Sequence, residues 1–278
     1  KEPTTFVVAQ FGEPETLDPA LAYETAGGEI IQNVYSKLIE YEREKPTTFV
    51  PELALEVPSV ENGGISADGL TYTWKIRTGV TFHDGAEMTP SDVAYTFQRG
   101  LLQGGTASPQ WLMTEPFFGV GIDDISLLVD PEGNLYDDME AMKAADPAEL
   151  LEVCEKVKSL IVADDAAGTV TMTLAQPWGP FIATLANSWG VVMDQGWVAA
   201  NGGWDGTCET WQNFYGISSD VDPFTSIANG TGNQRDIAGL ERFIGGAGND
   251  TIDGGGGFDR VEYSTSTTGV AVTLGGAA

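Results

Sequence analysis

The stretch from residue 70 to residue 97 leaves its chain few ways to fold. Residues 70–76 alternate Leu, Tyr, Trp and Ile with Thr, Thr and Lys, the period of a strand with one buried face. Asp84-Gly85 then signals a turn. Thr89, Pro90 and Asp92 open a helix: Thr89 caps it, Pro90 suits its first position, and Asp92 complements the positive end. A strand, a tight turn and a capped helix within 28 residues exclude an all-helical bundle and an all-β sandwich. Other segments fit a mixture. Residues 5–11 read as a buried strand and 169–174 as an alternating one. Apolar positions 30, 31, 34, 35, 38 and 39 predict a helix over 28–41, and Pro46 and Pro51 predict a loop after it. Asp146 and Pro147, with Glu149 in the capping-box position, open a helix that carries Cys154 on or beside its buried stripe. Residues 177–189 read as a short aromatic-rich helix. The fold class expected is mixed α/β (α+β) through about residue 230.

Composition narrows function. Thirteen Lys and Arg face 41 Asp and Glu, a net charge of −28, so nucleic acid and anionic membrane surfaces are repelled. The single His, His83, excludes any site needing two imidazoles and reads as a hydrogen-bonded turn residue. No phosphate loop, G-x-S-x-G motif or triad is present, so an enzyme is not expected. No run of about 18 apolar residues occurs, and the first residues lack the apolar core of a signal peptide. Cys154 and Cys208 are either two unrelated small residues or one disulfide.

The segment Asp68-Gly69-Leu70-Thr71-Tyr72-Thr73-Trp74-Lys75-Ile76-Arg77-Thr78-Gly79-Val80-Thr81-Phe82-His83-Asp84-Gly85, continuing through Thr89-Pro90-Ser91-Asp92-Val93-Ala94-Tyr95 to Phe97, resembles the signature of the family 5 extracellular solute-binding proteins. These are the oligopeptide and dipeptide receptors of ABC importers. Leu17-Asp18-Pro19-Ala20, 34–41, 50–54, Asn201-Gly202-Gly203-Trp204 and Asn229-Gly230-Thr231-Gly232 fit the same pattern, so the resemblance covers about residues 4–232. It implies a lobe of the type II periplasmic-binding-protein fold over 1–232, with the second lobe missing. It implies a short peptide or similar solute as ligand, a membrane permease as partner, and a monomer. It also implies a periplasmic or cell-surface location after signal-peptide removal, which favours a Cys154–Cys208 disulfide. In such a lobe the loop after the first strand lines the cleft. Here that loop offers Ala22, Tyr23, Glu24 and Thr25, with Trp189 expected nearby: Tyr23 to rest on ligand, Glu24 to meet a positive group.

Composition shifts after residue 232. The last 46 residues hold 11 Gly, six acids and three Arg. Residues 245–253 and 254–262 each fit the nonapeptide G-G-x-G-x-D-x-U-x, and the tail resembles the RTX repeats of exported proteins. The resemblance implies a short, partial parallel β-roll over 233–278. Its turns would aim oxygen ligands from Gly245, Ala247, Asp250, Gly254, Gly256 and Asp259 at Ca²⁺. A secreted calcium-binding protein with a non-transport amino-terminal domain is the alternative reading.

Overall fold

A computed structural model describes residues 14–42, 45–225 and 227–230, together with the backbone of 241–244 and 259–262. The expected strand at 5–11 lies outside the described residues. So do the tail positions Gly245, Ala247, Asp250, Gly254 and Gly256.

Helix α1 (Thr25–Val34) is followed by a hairpin of β1 (Ile39–Glu42) and β2 (Lys45–Pro51), paired antiparallel with Ile39 opposite Pro51 and Tyr41 opposite Phe49. This corrects two expectations. The apolar stripe at 30–39 belongs to a helix only as far as Val34, because Tyr35 is extended and its N–H closes the last turn on Ile31. Pro46 and Pro51 lie within a strand. Neither hinders a two-stranded hairpin, where each strand has an unpaired edge.

The signature folds as its local chemistry requires. In β3 (Thr71–Lys75), Tyr72 and Trp74 are buried while Thr71, Thr73 and Lys75 point outward. Helix α2 (Pro90–Gln103) has a complete capping box. The Thr89 hydroxyl accepts from the Asp92 N–H, and the Asp92 carboxylate accepts from the Thr89 N–H at 2.8 Å. After it come α3 (Trp111–Phe118), α4 (Ser126–Val129), α5 (Met139–Lys143) and α6 (Pro147–Leu160). At the start of α6 the Asp146 carboxylate caps Ala148 at 2.8 Å, and Glu149 is exposed rather than closing a capping box. Strands β4 (Ile161–Asp164) and β5 (Thr169–Thr173) complete an antiparallel sheet in the order β3-β5-β4, with α2 against it. The aromatic segment at 177–189 is two pieces, α7 (Phe181–Leu185) and a 3-10 turn at Ser188–Gly190; α8 (Gln195–Ala200) comes next.

One apolar core runs from Leu17 to Ala228 and includes Trp74, Phe117, Phe181, Trp204, Trp211 and Tyr215. Cys154 of α6 is bonded to Cys208, closing a span of 54 residues. A loop of that length removes about 4 kcal/mol of unfolded-state entropy in the chain-entropy account.

The two ends of this core meet at a polar seam. The Leu17 N–H donates to the Thr225 carbonyl at 3.1 Å, and the His83 N–H donates to the Gly230 carbonyl at 3.0 Å. His83 is thus the hydrogen-bonded turn residue the sequence predicts; its Nδ1 accepts from the Gly230 N–H at 3.4 Å. Gly230 is required by proximity, since a Cβ there would lie 2.4 Å from the Val34 carbonyl oxygen.

In the tail, β6 (Glu241–Ile244) and β7 (Asp259–Glu262) run parallel with Glu241 opposite Asp259, an offset of 18 residues (259 minus 241).

Candidate functional site

The loop between the seam and α1 is fixed from below. Asp18 is fully buried and accepts from both terminal guanidinium nitrogens of Arg99, which reaches over from α2; Nη1 donates to Oδ1 at 2.8 Å and Nη2 to Oδ2. Burial alone would raise the Asp18 carboxyl, but the Arg99 guanidinium, helped by the hydrogen bonds Asp18 accepts, holds it below the usual carboxylate range. A second carboxylate, Asp222, accepts from the Thr16 hydroxyl at 3.3 Å. Burial, then the negative charge of Asp18, push it up to about 8. Arg99 also lies 5.2 Å over the Phe224 ring. One cation between two buried acids leaves a single ion pair and a retained proton.

Asp18 orders the loop beyond it. Its side chain accepts the Ala20 N–H at 2.9 Å, and its carbonyl accepts the N–H groups of Leu21 and Ala22 at 3.1 and 2.8 Å. The chain is then turned so that Tyr23 stands 64% exposed above the buried Leu21 and Ala22.

Here the structure brings together residues 166 positions apart (189 minus 23). The Tyr23 and Trp189 rings stack with centroids 5.9 Å apart and planes 18° from parallel. The Trp189 indole N–H donates to the Ala22 carbonyl at 3.0 Å, which fixes the ring. Gly190 lets the 3-10 turn pass beneath, since a Cβ there would lie 1.9 Å from the Leu185 carbonyl oxygen. The result is a flat aromatic platform with one open face.

The other two loop residues have different parts. Glu24 Oε1 accepts the N–H groups of Gly27 and Glu15, both at 2.9 Å, so its carboxylate caps α1 and ties down the incoming chain. Thr25 begins α1 and is exposed. Ala22 is buried, and its carbonyl accepts the Trp189 indole N–H. Sequence reasoning missed Asp18 and Arg99. The available signal was a lone Arg among buried positions of an amphipathic helix, which needs an acid from elsewhere in the chain.

Among the described residues no group of three or more His, Cys, Asp or Glu side chains comes together as a metal site. No helix among them is long and apolar enough to cross a membrane.

The family model described as "Bacterial extracellular solute-binding proteins, family 5 Middle" matches residues 48–230, about two thirds of the chain. "Di/tripeptide-binding protein 2" of Pseudomonas aeruginosa is 29% identical over 202 residues, covering 69% of this chain and 30% of that protein. The "Dipeptide-binding protein" of Escherichia coli is 27% identical over 207 residues, covering 70% and 31%. "Heme-binding protein A" of Haemophilus influenzae is 38% identical over 104 residues, covering 35% and 18%. The chain therefore spans about a third or less of these relatives' length. Among solved structures, the murein tripeptide binding protein of Escherichia coli superposes with a TM-score of 0.47 at 18% identity, covering 79% of this chain and 33% of that one.

Proposed function

The chain belongs to the bacterial extracellular solute-binding proteins, family 5, and on that premise we propose that it captures short peptides for an ABC importer. Its task is binding, not catalysis. It works outside the cytoplasmic membrane and hands its ligand to a membrane permease. The observation that carries this reading is the Tyr23–Trp189 platform, an exposed ring held by a buried ion pair and a fixed indole. A rigid aromatic face accepts side chains of many shapes by contact alone, while peptide backbones are held by main-chain hydrogen bonds. The residues that grip a peptide's amino terminus in the family belong to the second lobe, so the platform supplies one wall of the site.

Calorimetric titration with di- and tripeptides tests the proposal. Saturable binding is expected, and Tyr23→Ala should weaken it roughly tenfold, the value of an aromatic contact near 1.4 kcal/mol. Saturable binding of haem with no response to any peptide would overturn it.

A second activity is proposed for the tail, that of binding Ca²⁺. In a roll of nonapeptides, strands on one side are two repeats apart, and the 18-residue offset of β6 and β7 equals two repeats. Titration of Ca²⁺ should give saturable heat. None, at millimolar Ca²⁺, would remove this reading and leave peptide capture untouched.

A further inference from the structure

A recess of about 250 Å³ lies between the start of α3, the Gly104–Gly105 turn and the segment before α5. Whole-ligand pockets run from ~300 to 1,000 Å³, so this volume suits one long side chain rather than an entire ligand. Two aromatic residues line it, Trp111 at 50% and Tyr136 at 47% exposed, large ring surfaces left in solvent with no described residue covering them. Between them the wall carries two adjacent acids of opposite character. Asp124 is buried and occupied: Oδ2 accepts from Gly105 N–H at 2.7 Å, and Oδ1 from Ser126 N–H at 2.8 Å and the Tyr215 hydroxyl at 2.9 Å. Asp123 is exposed and makes no hydrogen bond or ion pair among the described residues.

The recess is built, not incidental. Gly104 and Gly105 have φ of +39° and +78°, and a Cβ on Gly104 would lie 2.8 Å from the Tyr215 ring and 2.9 Å from Asp124 Oδ2. The turn that borders the recess is thus held to glycine by backbone conformation and by close packing. It is also coupled to the platform. Ser108, in its wall, donates to the Ala20 carbonyl at 2.9 Å, two residues before the Ala22 carbonyl that holds Trp189.

We propose that this recess is a subsite for a cationic side chain of the bound peptide, lysine or arginine, resting on Trp111 and Tyr136 with its charge against Asp123. Aromatic faces attract cations through their quadrupole, and a free carboxylate supplies the counter-charge. The net charge of −28 draws such ligands toward the protein before contact. This inference rests on the peptide-capture reading and adds to it a preference that the platform alone does not give.

The test is calorimetric titration of the full chain with Ala-Lys-Ala and with Ala-norleucine-Ala, which keeps the side-chain length and lacks the ammonium. The lysine peptide should bind roughly tenfold tighter, the scale of one charge–aromatic contact. Asp123→Asn should cut that preference to below about twofold while leaving the norleucine affinity unchanged. Trp111→Leu should weaken both peptides. Glu152→Gln, a charge loss on the remote helix α6, should leave the preference intact. Equal affinity of the parent for the two peptides, or a preference that survives Asp123→Asn, overturns the subsite and leaves peptide capture standing. A parent chain that binds neither peptide overturns both.

Discussion

The sheet half of the body and its seam are held in different ways. In the sheet half, from β3 through β5, the strands pair across long stretches of chain (Thr71 opposite Thr173), but each element is specified by its neighbours in sequence. Alternation in β3 selects the buried face, Thr89 and Asp92 close a cap three residues apart, and Asp146 caps its own helix. The seam depends on partners far along the chain: Asp18 with Arg99, Thr16 with Asp222, Leu17 with Thr225 and His83 with Gly230. Apolar burial is non-directional and tolerates small errors of placement. A buried charge does not, because its partner must arrive in register or the charge is stranded. The loop that carries Tyr23 stands on the second kind of foundation. Its position is therefore set tightly, and it is costly to disturb.

This contrast can be broken most directly at Arg99. Arg99→Met leaves Asp18 buried without its cation and should destabilise the chain by about 3–5 kcal/mol. Adding Asp18→Asn should restore much of the loss. Urea unfolding measures both, and a single-variant loss no larger than that of a surface cap would show that the seam is not charge-held. A smaller effect is expected at Asp222. Its folded-state value near 8 lies above the ordinary carboxylate value, so the folded chain keeps a proton that the unfolded chain releases. The stability this provides is complete at acid pH and is lost as pH rises toward 8. Asp18 has the opposite sign: its contribution holds above the ordinary value and is lost only as pH falls below it. Asp222→Asn should therefore gain on the parent between pH 7 and pH 8 by roughly 2–4 °C in Tm, the shift expected for about 1 kcal/mol. An identical difference at both pH values would show that Asp222 does not titrate in this window. The smallest effect belongs to the sheet half. Thr89→Ala removes one cap and should cost about 1 kcal/mol in the same urea experiment, independent of pH over this range. A loss approaching that of Arg99→Met would erase the distinction between the two halves.

The same division explains what the sequence revealed. β3, α2, α6 and β5 were legible because each carries its instruction within a few residues. The β1–β2 hairpin was not, because the apolar spacing of α1 continues through Leu38 and Ile39 into a strand. In the site, Tyr23 and Trp189 could be named as candidates from the family resemblance. Their stacking, 166 residues apart, left no local trace. Nor did the use of Glu24 as a cap for α1 and a tether for Glu15, since a carboxylate at that spacing reads equally well as a free charge. The recess at Trp111 and Tyr136 was invisible because the chain returns to it from three directions.

The seam also bears on the order in which the chain folds. Thr16, Leu17 and Asp18 cannot finish their contacts until the stretch from Asp222 to Gly230 has been delivered beside them. Contacts so far apart in sequence form slowly. The loop that bears Tyr23 therefore sets only once the segment at 222–230 has docked, and it stays pliable until then.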